Sequence, residues 1–137
     1  MKHTIETNWK GKMQFDADLD GHVLSMDSTK DGGGEDKGVR PKKLMLASLA
    51  GCTGMDVISI LQKMRVDVED FKIEIEADMT EDHPKHYTKM HVIYQFIGKD
   101  LDPEKLKKAV DLSQDRYCGV SAAYKKAMEV TYEIKIL

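Results

Sequence analysis

The sequence of 137 residues predicts one α+β domain that spans residues 1–137. Three observations favour this class. Two segments alternate apolar and charged residues at period two, one apolar run is too long for a strand, and a pair of helices precedes the last strand. The order of strands, long helix, two strands, two helices and one strand is typical of α+β folds rather than parallel α/β folds.

The first segment, residues 4–27, predicts three short antiparallel strands. Gly11 and the pair Asp20-Gly21 interrupt it where tight turns are expected. The next stretch, residues 28–38, contains four glycines and several charges without hydrophobic periodicity. We expect a mobile surface loop there. It lacks the Lys-Ser/Thr step that closes a nucleotide-binding phosphate loop.

Pro41 predicts the first residue of a long helix, because its missing N–H has no intrahelical partner at that position. Residues 44–61 are apolar on nearly every face, which is typical of a helix buried all round. If the helix continues to Met64 it spans about 36 Å, so we expect a second subunit to cover part of it. Gly51 and Gly54 are unfavourable in a helix, and a close approach or a kink would explain them.

The second half of the chain predicts three more strands and two helices. Residues 71–79 and 87–97 are expected to pair as antiparallel strands, and residues 130–136 form the closing strand. Asp102-Pro103-Glu104 predicts a helix start, and a shorter helix follows over residues 118–128. The inward faces are predicted to consist of Met90, Val92, Tyr94 and Phe96 in the strand and of Leu106, Ala109, Val110 and Ser113 in the helix.

Composition excludes some classes of partner. The formal net charge is -3 with 33% charged residues, so no basic face is available for nucleic acid or anionic lipid. The N-terminus lacks the basic and apolar regions of a signal peptide, and no run of eighteen consecutive apolar residues occurs. These features predict a cytoplasmic protein without nucleic-acid or membrane partners.

The two cysteines are the candidate reactive residues. They are too few for a disulfide framework or a four-thiolate zinc site, which leaves burial or redox chemistry. Cys52 lies among apolar residues, where inert packing is an alternative. Cys118 lies at an expected helix start, where backbone amides lower the pKa of a thiol. A purely structural role remains open for both.

Three histidines lie within nine residues and raise the hypothesis of a metal site. His83 lies in an expected turn, and His86 and His91 are five apart on a strand, so they point to opposite faces. The sequence therefore predicts no metal site, and nothing in it indicates a cofactor.

Two motifs carry a resemblance to a known family. Residues 40–53, RPKKLMLASLAGCT, resemble the signature of the OsmC/Ohr family, the osmotically inducible and organic hydroperoxide resistance proteins. Residues 55–63, MDVISILQK, look most like the YhfA-like branch, and residues 110–121, VDLSQDRYCGVS, resemble the second landmark. The cysteines are 66 positions apart, similar to the separation in the family. The resemblance covers essentially the whole chain.

The resemblance implies an OsmC-like intertwined homodimer with antiparallel sheets, a long buried central helix and two active sites at the interface. It also implies a thiol-dependent peroxidase that reduces organic hydroperoxides in the oxidative stress response. Cys52 would be the peroxidatic residue and form a sulfenic acid, Cys118 would be the resolving residue, and an external dithiol would reduce their disulfide. Met45, Leu49 and Met55 would give the substrate an apolar wall.

The chain departs from the family's best-known peroxidases at one point. Those enzymes pair an N-terminal arginine with a glutamate directly after the helix-opening proline, whereas Lys42 follows Pro41 here and residues 1–39 contain no arginine. Arg40 is the nearest candidate to stabilise the thiolate, with Lys42 as a second candidate. The alternatives are a non-catalytic dimer that binds a small apolar or thiol-reactive ligand at Cys52, and another thiol-based transferase or redox role.

Overall fold

The computed structural model describes all 137 residues. They form two compact units, Met1–Met45 and Leu46–Leu137. The single domain over the whole chain stays a prediction.

The first unit contains the expected meander of three strands. β1 (Glu6–Trp9), β2 (Phe15–Leu19) and β3 (His22–Met26) pair antiparallel in that order, which confirms the prediction. The turn between β2 and β3 has positive φ at both Asp20 and Gly21, 55° and 88°, as a two-residue hairpin loop requires. The backbone N–H of Gly21 also donates to the Asp18 carboxylate at 2.9 Å.

The glycine-rich loop after β3 contains defined turns around Asp27. Its carboxylate accepts backbone N–H bonds from Ser28 at 2.7 Å, Glu35 at 3.2 Å and Lys37 at 3.1 Å. The bond from Lys37 is the main reason why the pKa of Asp27 lies below its usual value. Local hydrogen bonds to one side chain thus organise a segment without hydrophobic periodicity, and its mobility stays a prediction.

The long helix α1 covers Lys43–Lys63 and begins two residues after Pro41. The preceding turn has three-residue spacing, since Lys43 N–H donates to Arg40 O at 3.2 Å and Leu44 N–H donates to Pro41 O at 3.1 Å. Pro41 therefore opens the turn that leads into the helix rather than the helix itself. The predicted long helix is otherwise present.

Only one stripe of α1 is buried. It consists of residues at four-residue spacing, Leu49, Thr53, Val57 and Leu61. Met55 is 77% exposed, so the chain by itself buries only this face of the helix. Burial of the other faces by a second subunit stays a prediction. By length and composition alone α1 would also pass as a membrane-spanning helix, a test that core helices of soluble proteins pass as well.

The two glycines beside Cys52 differ in their surroundings. A Cβ atom at Gly54 would lie 3.0 Å from the Cδ1 atom of Ile73, so the expected close approach is present there, to a side chain rather than a backbone. A Cβ atom at Gly51 would meet nothing within 4 Å. Packing within the chain therefore accounts for Gly54 only.

The second unit contains a sheet in the order β4-β5-β6. β4 (Asp70–Met79) and β5 (Tyr87–Ile97) pair antiparallel, as predicted. β6 (Glu129–Ile136) pairs parallel to β5, so the expectation of purely antiparallel sheets is wrong. The physical reason is the helical connection through residues 98–128. It is long enough to carry the chain back to the end of the sheet at which β5 begins, so β6 can run in the same direction as β5.

The helices between β5 and β6 follow the sequence prediction closely. α2 covers Pro103–Leu112, and its N-cap Asp102 accepts the N–H of Glu104 at 3.0 Å. A π-helical turn, Ser113–Tyr117, then leads to α3, Gly119–Lys125. The predicted inward residues of β5 and of the helix are confirmed, since all of them are fully buried: Met90, Val92, Tyr94, Phe96, Leu106, Ala109, Val110 and Ser113.

Candidate active site

Cys52 lies in the second unit on α1, next to the buried stripe of the helix, and is half-buried. Asp56 follows one turn later on the same side, because residues four apart are neighbours on a helix surface. Thr53 lies beside them and is fully buried. The helix thus presents a thiol, a carboxylate and a hydroxyl together.

Cys118 lies between the π-helical turn and α3. Its backbone N–H donates to Ser113 O at 2.8 Å, the five-residue spacing of a π-turn. It is the N-cap of α3, and its Sγ accepts the N–H of Ser121 at 3.3 Å. This confirms the expected helix start at Cys118. The side chain is only 2% exposed.

The fold brings the two cysteines together. The Sγ atoms of Cys52 and Cys118 and a carboxylate oxygen of Asp56 all lie within 4.8 Å of one another. The two thiols come from residues far apart in sequence, and a disulfide between them requires the sulfur atoms to approach to ~2.05 Å. Three donor atoms are fewer than the four that close a structural zinc site, and we assign no metal here.

The protonation of Cys118 differs from the sequence expectation. Burial raises its pKa to about 11, and the neighbouring Cys52 and Asp56 add to the rise. The N–H of Ser121 acts in the opposite direction, as expected at a helix start, but it does not outweigh desolvation. Cys118 is therefore a neutral thiol at neutral pH.

A buried network of polar side chains adjoins the cysteines. Thr53 Oγ1 lies 2.6 Å from Tyr94 OH and 2.7 Å from Ser113 Oγ. Ser113 Oγ donates to Asp56 Oδ2 at 3.0 Å, and Gln114 Nε2 donates to Tyr94 OH at 2.6 Å. The network continues to Ser121, whose hydroxyl donates to Gln114 Oε1 at 2.7 Å. These groups connect α1, β5 and the π-helical turn.

Sequence reasoning did not find this network. Tyr94 and Ser113 were expected on inward faces, but no role was assigned to them or to Thr53. The sequence did contain an indication of the network, because Thr53 and Ser113 are polar residues within otherwise apolar helix faces. A buried polar group needs a hydrogen-bond partner. A stripe of one element does not reveal which partner on another element it meets.

The comparison with a family model agrees with this arrangement. Residues 34–133 match the model described as OsmC-like protein. The chain belongs to the OsmC-like family. The resemblance predicted from the two cysteine motifs is therefore confirmed, and both motifs lie within the matched residues.

Relatives of this OsmC-like chain extend the match over most of its length. Protein YhfA of Escherichia coli K12 is 33% identical over 117 residues, which covers 85% of this chain and 84% of that protein. A hypothetical protein from Aquifex aeolicus VF5 has a crystal structure with 31% identity and a TM-score of 0.83, covering 100% and 99% of the two chains. OhrB of Bacillus subtilis, 19% identical with 98% of each chain covered, shares the fold at a TM-score of 0.68.

Arg40, the third predicted site residue, lies in the first unit of the OsmC-like chain. Its guanidinium donates to Gly38 O at 2.9 Å and forms an ion pair with Asp36 at 2.8 Å. Its role at the thiolate stays a prediction.

The histidines of the hairpin have separate partners. His91 contacts Thr131 Oγ1 through Nδ1 at 2.7 Å, and its Nε2 lies 3.7 Å from Glu133. His86 was expected on the strand but lies just before β5, with its Nδ1 3.2 Å from Tyr87 O. His83 precedes Pro84 in the turn.

Two open cavities lie along α1. One has a volume of about 590 Å³ and is mainly apolar, with Met55 and Gly54 of the helix facing Phe71 and Ile73 of β4. Leu49, which was expected in an apolar wall beside Met55, is fully buried and does not line this cavity. The other, about 390 Å³, is lined by residues on the Asp56 side of the helix and beyond, Asp56, Ser59, Ile60, Lys63, Leu112 and Tyr117.

Proposed function

We propose that this OsmC-like protein is a thiol-dependent peroxidase that reduces organic hydroperoxides. The observation that carries the proposal is the proximity of Cys52 Sγ and Cys118 Sγ, within 4.8 Å, in a chain that contains no other cysteine. Similar folds add support. The Bacillus subtilis protein is described as organic hydroperoxide resistance protein OhrB, and the Legionella pneumophila protein as organic hydroperoxide resistance protein OsmC.

Exposure supports a division of roles between the cysteines. Cys52 is half-buried and therefore open to a peroxide, whereas Cys118 is buried with its thiol neutral. Cys52 as a thiolate attacks the terminal oxygen of the hydroperoxide, so that an S–O bond forms, the O–O bond breaks and an alcohol leaves. Cys118 then attacks the Cys52 sulfur, water leaves, and a disulfide forms. An external dithiol reduces the disulfide and returns both thiols.

A thiol count under peroxide tests this proposal. One equivalent of cumene hydroperoxide should remove two free thiols per wild-type chain, faster than hydrogen peroxide does. Cys52→Ser should lose none, and Cys118→Ser should lose one and stall as a sulfenic or sulfinic acid. Two thiols that stay unreactive in the folded protein would reject the peroxidase.

Arg40, which forms an ion pair with Asp36, is proposed to support the Cys52 thiolate. Arg40→Ala should then lower the oxidation rate, whereas the exposed control Arg65→Ala should not. Unchanged kinetics in Arg40→Ala would reject this role.

We further propose a cytoplasmic homodimer. OsmC/Ohr proteins are generally dimeric, and a second subunit would cover the apolar surface that α1 exposes at Met55 and beside the open space at Gly51. In the cytoplasm a dithiol reductant would keep the cysteines in the reduced state between turnovers.

The cavity of about 590 Å³ is lined by Gly51 and Gly54, the residues around Cys52 in the sequence, but not by Cys52 itself. It favours a second candidate, a non-catalytic protein that binds a small apolar ligand on this part of α1. Ligand binding without turnover should survive Cys118→Ser. The peroxidase predicts instead that this variant loses catalytic cycling, so one pair of assays separates the two candidates.

A further inference from the structure

The hydroxyl groups next to the cysteines form a continuous chain of hydrogen bonds that ends at Asp56. From one end to the other the contacts run from Gln114 Nε2 to Tyr94 OH, Thr53 Oγ1, Ser113 Oγ and Asp56 Oδ2, with separations of 2.6, 2.6, 2.7 and 3.0 Å. Tyr94, Thr53 and Ser113 are fully buried, and no buried side-chain nitrogen or oxygen lacks a partner. Bulk water therefore does not complete this chain.

The number of available protons sets the direction of the chain. Each hydroxyl carries one proton, whereas the Gln114 amide nitrogen is only a donor. Ser121 donates to Gln114 Oε1, so the amide presents its nitrogen to Tyr94. Tyr94 consequently accepts from Gln114 and donates its proton to Thr53, which donates to Ser113. Ser113 then donates to Asp56. In the opposite direction the proton of Tyr94 would have no acceptor in the chain.

Asp56 is therefore the terminal acceptor of the chain. One of its oxygens, Oδ2, is engaged by Ser113. A carboxylate oxygen also lies within 4.8 Å of both Sγ atoms. The hydroxyl chain thus orients a base toward two thiols.

Cys118 needs such a base. Burial raises its pKa to about 11, so it is a neutral thiol at neutral pH, yet only a thiolate attacks a sulfenic acid. Its proton must leave before the disulfide forms. Asp56 is the group of the cluster that can accept it, because Cys52 is by then the oxidised partner.

We propose that Asp56 is a catalytic general base and acid of the thiol pair, an inference that rests on the proposed peroxidase function. In the first step Asp56 accepts the Cys52 proton, the thiolate takes the terminal oxygen of the hydroperoxide, and the leaving alkoxide receives the proton to become an alcohol. In the second step Asp56 accepts the Cys118 proton, the S–S bond forms as the S–OH bond breaks, and the leaving hydroxide receives the proton to become water. The peroxide is reduced and the two sulfurs are oxidised.

Several charged or titratable groups lie near Asp56 and bear on the pH dependence of the thiol chemistry. Cys52 belongs to the same helix, Cys118 precedes α3, and Tyr94 of β5 interacts electrostatically with Asp56. Lys63 of α1 and Tyr117 of the π-helical turn line the cavity of about 390 Å³ that opens at Asp56.

The test compares the full-length wild type with Asp56→Asn, which keeps the shape and an acceptor for Ser113 but removes the base. Two readouts are needed, with a chelator in every sample to exclude bound metal. One is the rate of sulfenic acid and disulfide formation after mixing with cumene hydroperoxide. The other is the pH titration of the thiols by their ultraviolet thiolate absorbance.

We expect the two readouts to change in opposite senses. Disulfide formation should slow by about 10²–10⁴-fold, the range for general acid–base catalysis. The thiol pKa values should stay the same or fall, because the negative charge of Asp56 raises the pKa of Cys118. Asp56→Glu should restore part of the rate, and the exposed control Asp67→Asn should match the wild type.

Each other outcome overturns the proposal in a recognisable way. An unchanged rate in Asp56→Asn, with an active wild type, rejects Asp56 and leaves the peroxidase standing. A slower rate together with raised thiol pKa values indicates distorted packing rather than lost proton transfer. A wild type that loses no thiols under peroxide rejects the peroxidase itself, and the role of Asp56 with it.

Discussion

The two faces of α1 reverse the simple rule that apolar residues are buried and polar residues are exposed. One face buries a polar residue, Thr53, between Leu49 and Val57, whereas the other face leaves Met55 77% exposed. Thr53 is buried because Tyr94 and Ser113 satisfy its hydroxyl. Met55 has no equivalent cover within the chain. The comparison shows that one face serves the chain's own core and site, and that the other is available for a partner.

The largest expected effect lies on the buried face. Leu61 is 1% exposed, so Leu61→Ala should lower the free energy of unfolding by about 2–5 kcal/mol through lost burial and a cavity. The control Gln62→Ala changes the next residue along the helix, which is exposed. It should change the free energy of unfolding by no more than about 0.5 kcal/mol. Denaturant unfolding of both variants measures the difference, and equal losses would contradict the contrast between the faces.

The next effect concerns the exposed face. Met55→Glu would bury an unpaired charge in the proposed interface and should weaken the dimer by at least roughly 100-fold. Light scattering across a dilution series should find monomers with wild-type helix content, while the control Lys99→Glu, an exposed residue in the turn after β5, remains dimeric. A Met55→Glu dimer as tight as the wild type would assign the interface to another surface.

A smaller effect is expected for the hydroxyl of Thr53. Thr53→Val removes the acceptor of Tyr94 and the donor to Ser113, which should cost about 1–3 kcal/mol of stability. The double variant Thr53→Val/Tyr94→Phe removes both partners of one bond and should cost less than the sum of the single changes. Additive losses in thermal or denaturant unfolding would show that the two hydroxyls are not coupled.

The smallest effect is a pH dependence at Cys118. Its folded-state pKa is raised from 9.0 to about 11, so the unfolded chain loses this proton at lower pH than the folded chain does. The associated stability is complete below pH 9.0 and is lost as the pH rises toward about 11.

Cys118→Ser should therefore lose less stability than the wild type across this interval, in unfolding experiments with reductant. Both proteins should still lose some, because burial also raises the pKa of Tyr94 and raises the pKa of Tyr132 to about 12. Parallel stability curves for the two proteins would show that Cys118 does not contribute.

Local features of the sequence determined the elements of this fold. The period-two alternation predicted β4 and β5, and the bounds of β5, Tyr87–Ile97, agree with the prediction. Asp102 and Pro103 predicted the start of α2 because a cap and a first-position proline act within one turn. The two cysteine motifs identified the family, since each is a contiguous stretch of residues.

Tertiary structure alone decided the direction of β6, the burial of only one stripe of α1, and the site around the cysteines. The helical connection makes β6 parallel to β5, and burial reverses the pKa shift expected for Cys118 at a helix start. Thr53 meets Ser113 across 60 positions of sequence, and Tyr94 across 41. Periodicity and capping describe neighbours within one element, whereas these contacts depend on how separate elements pack, so no local pattern in the sequence encodes them.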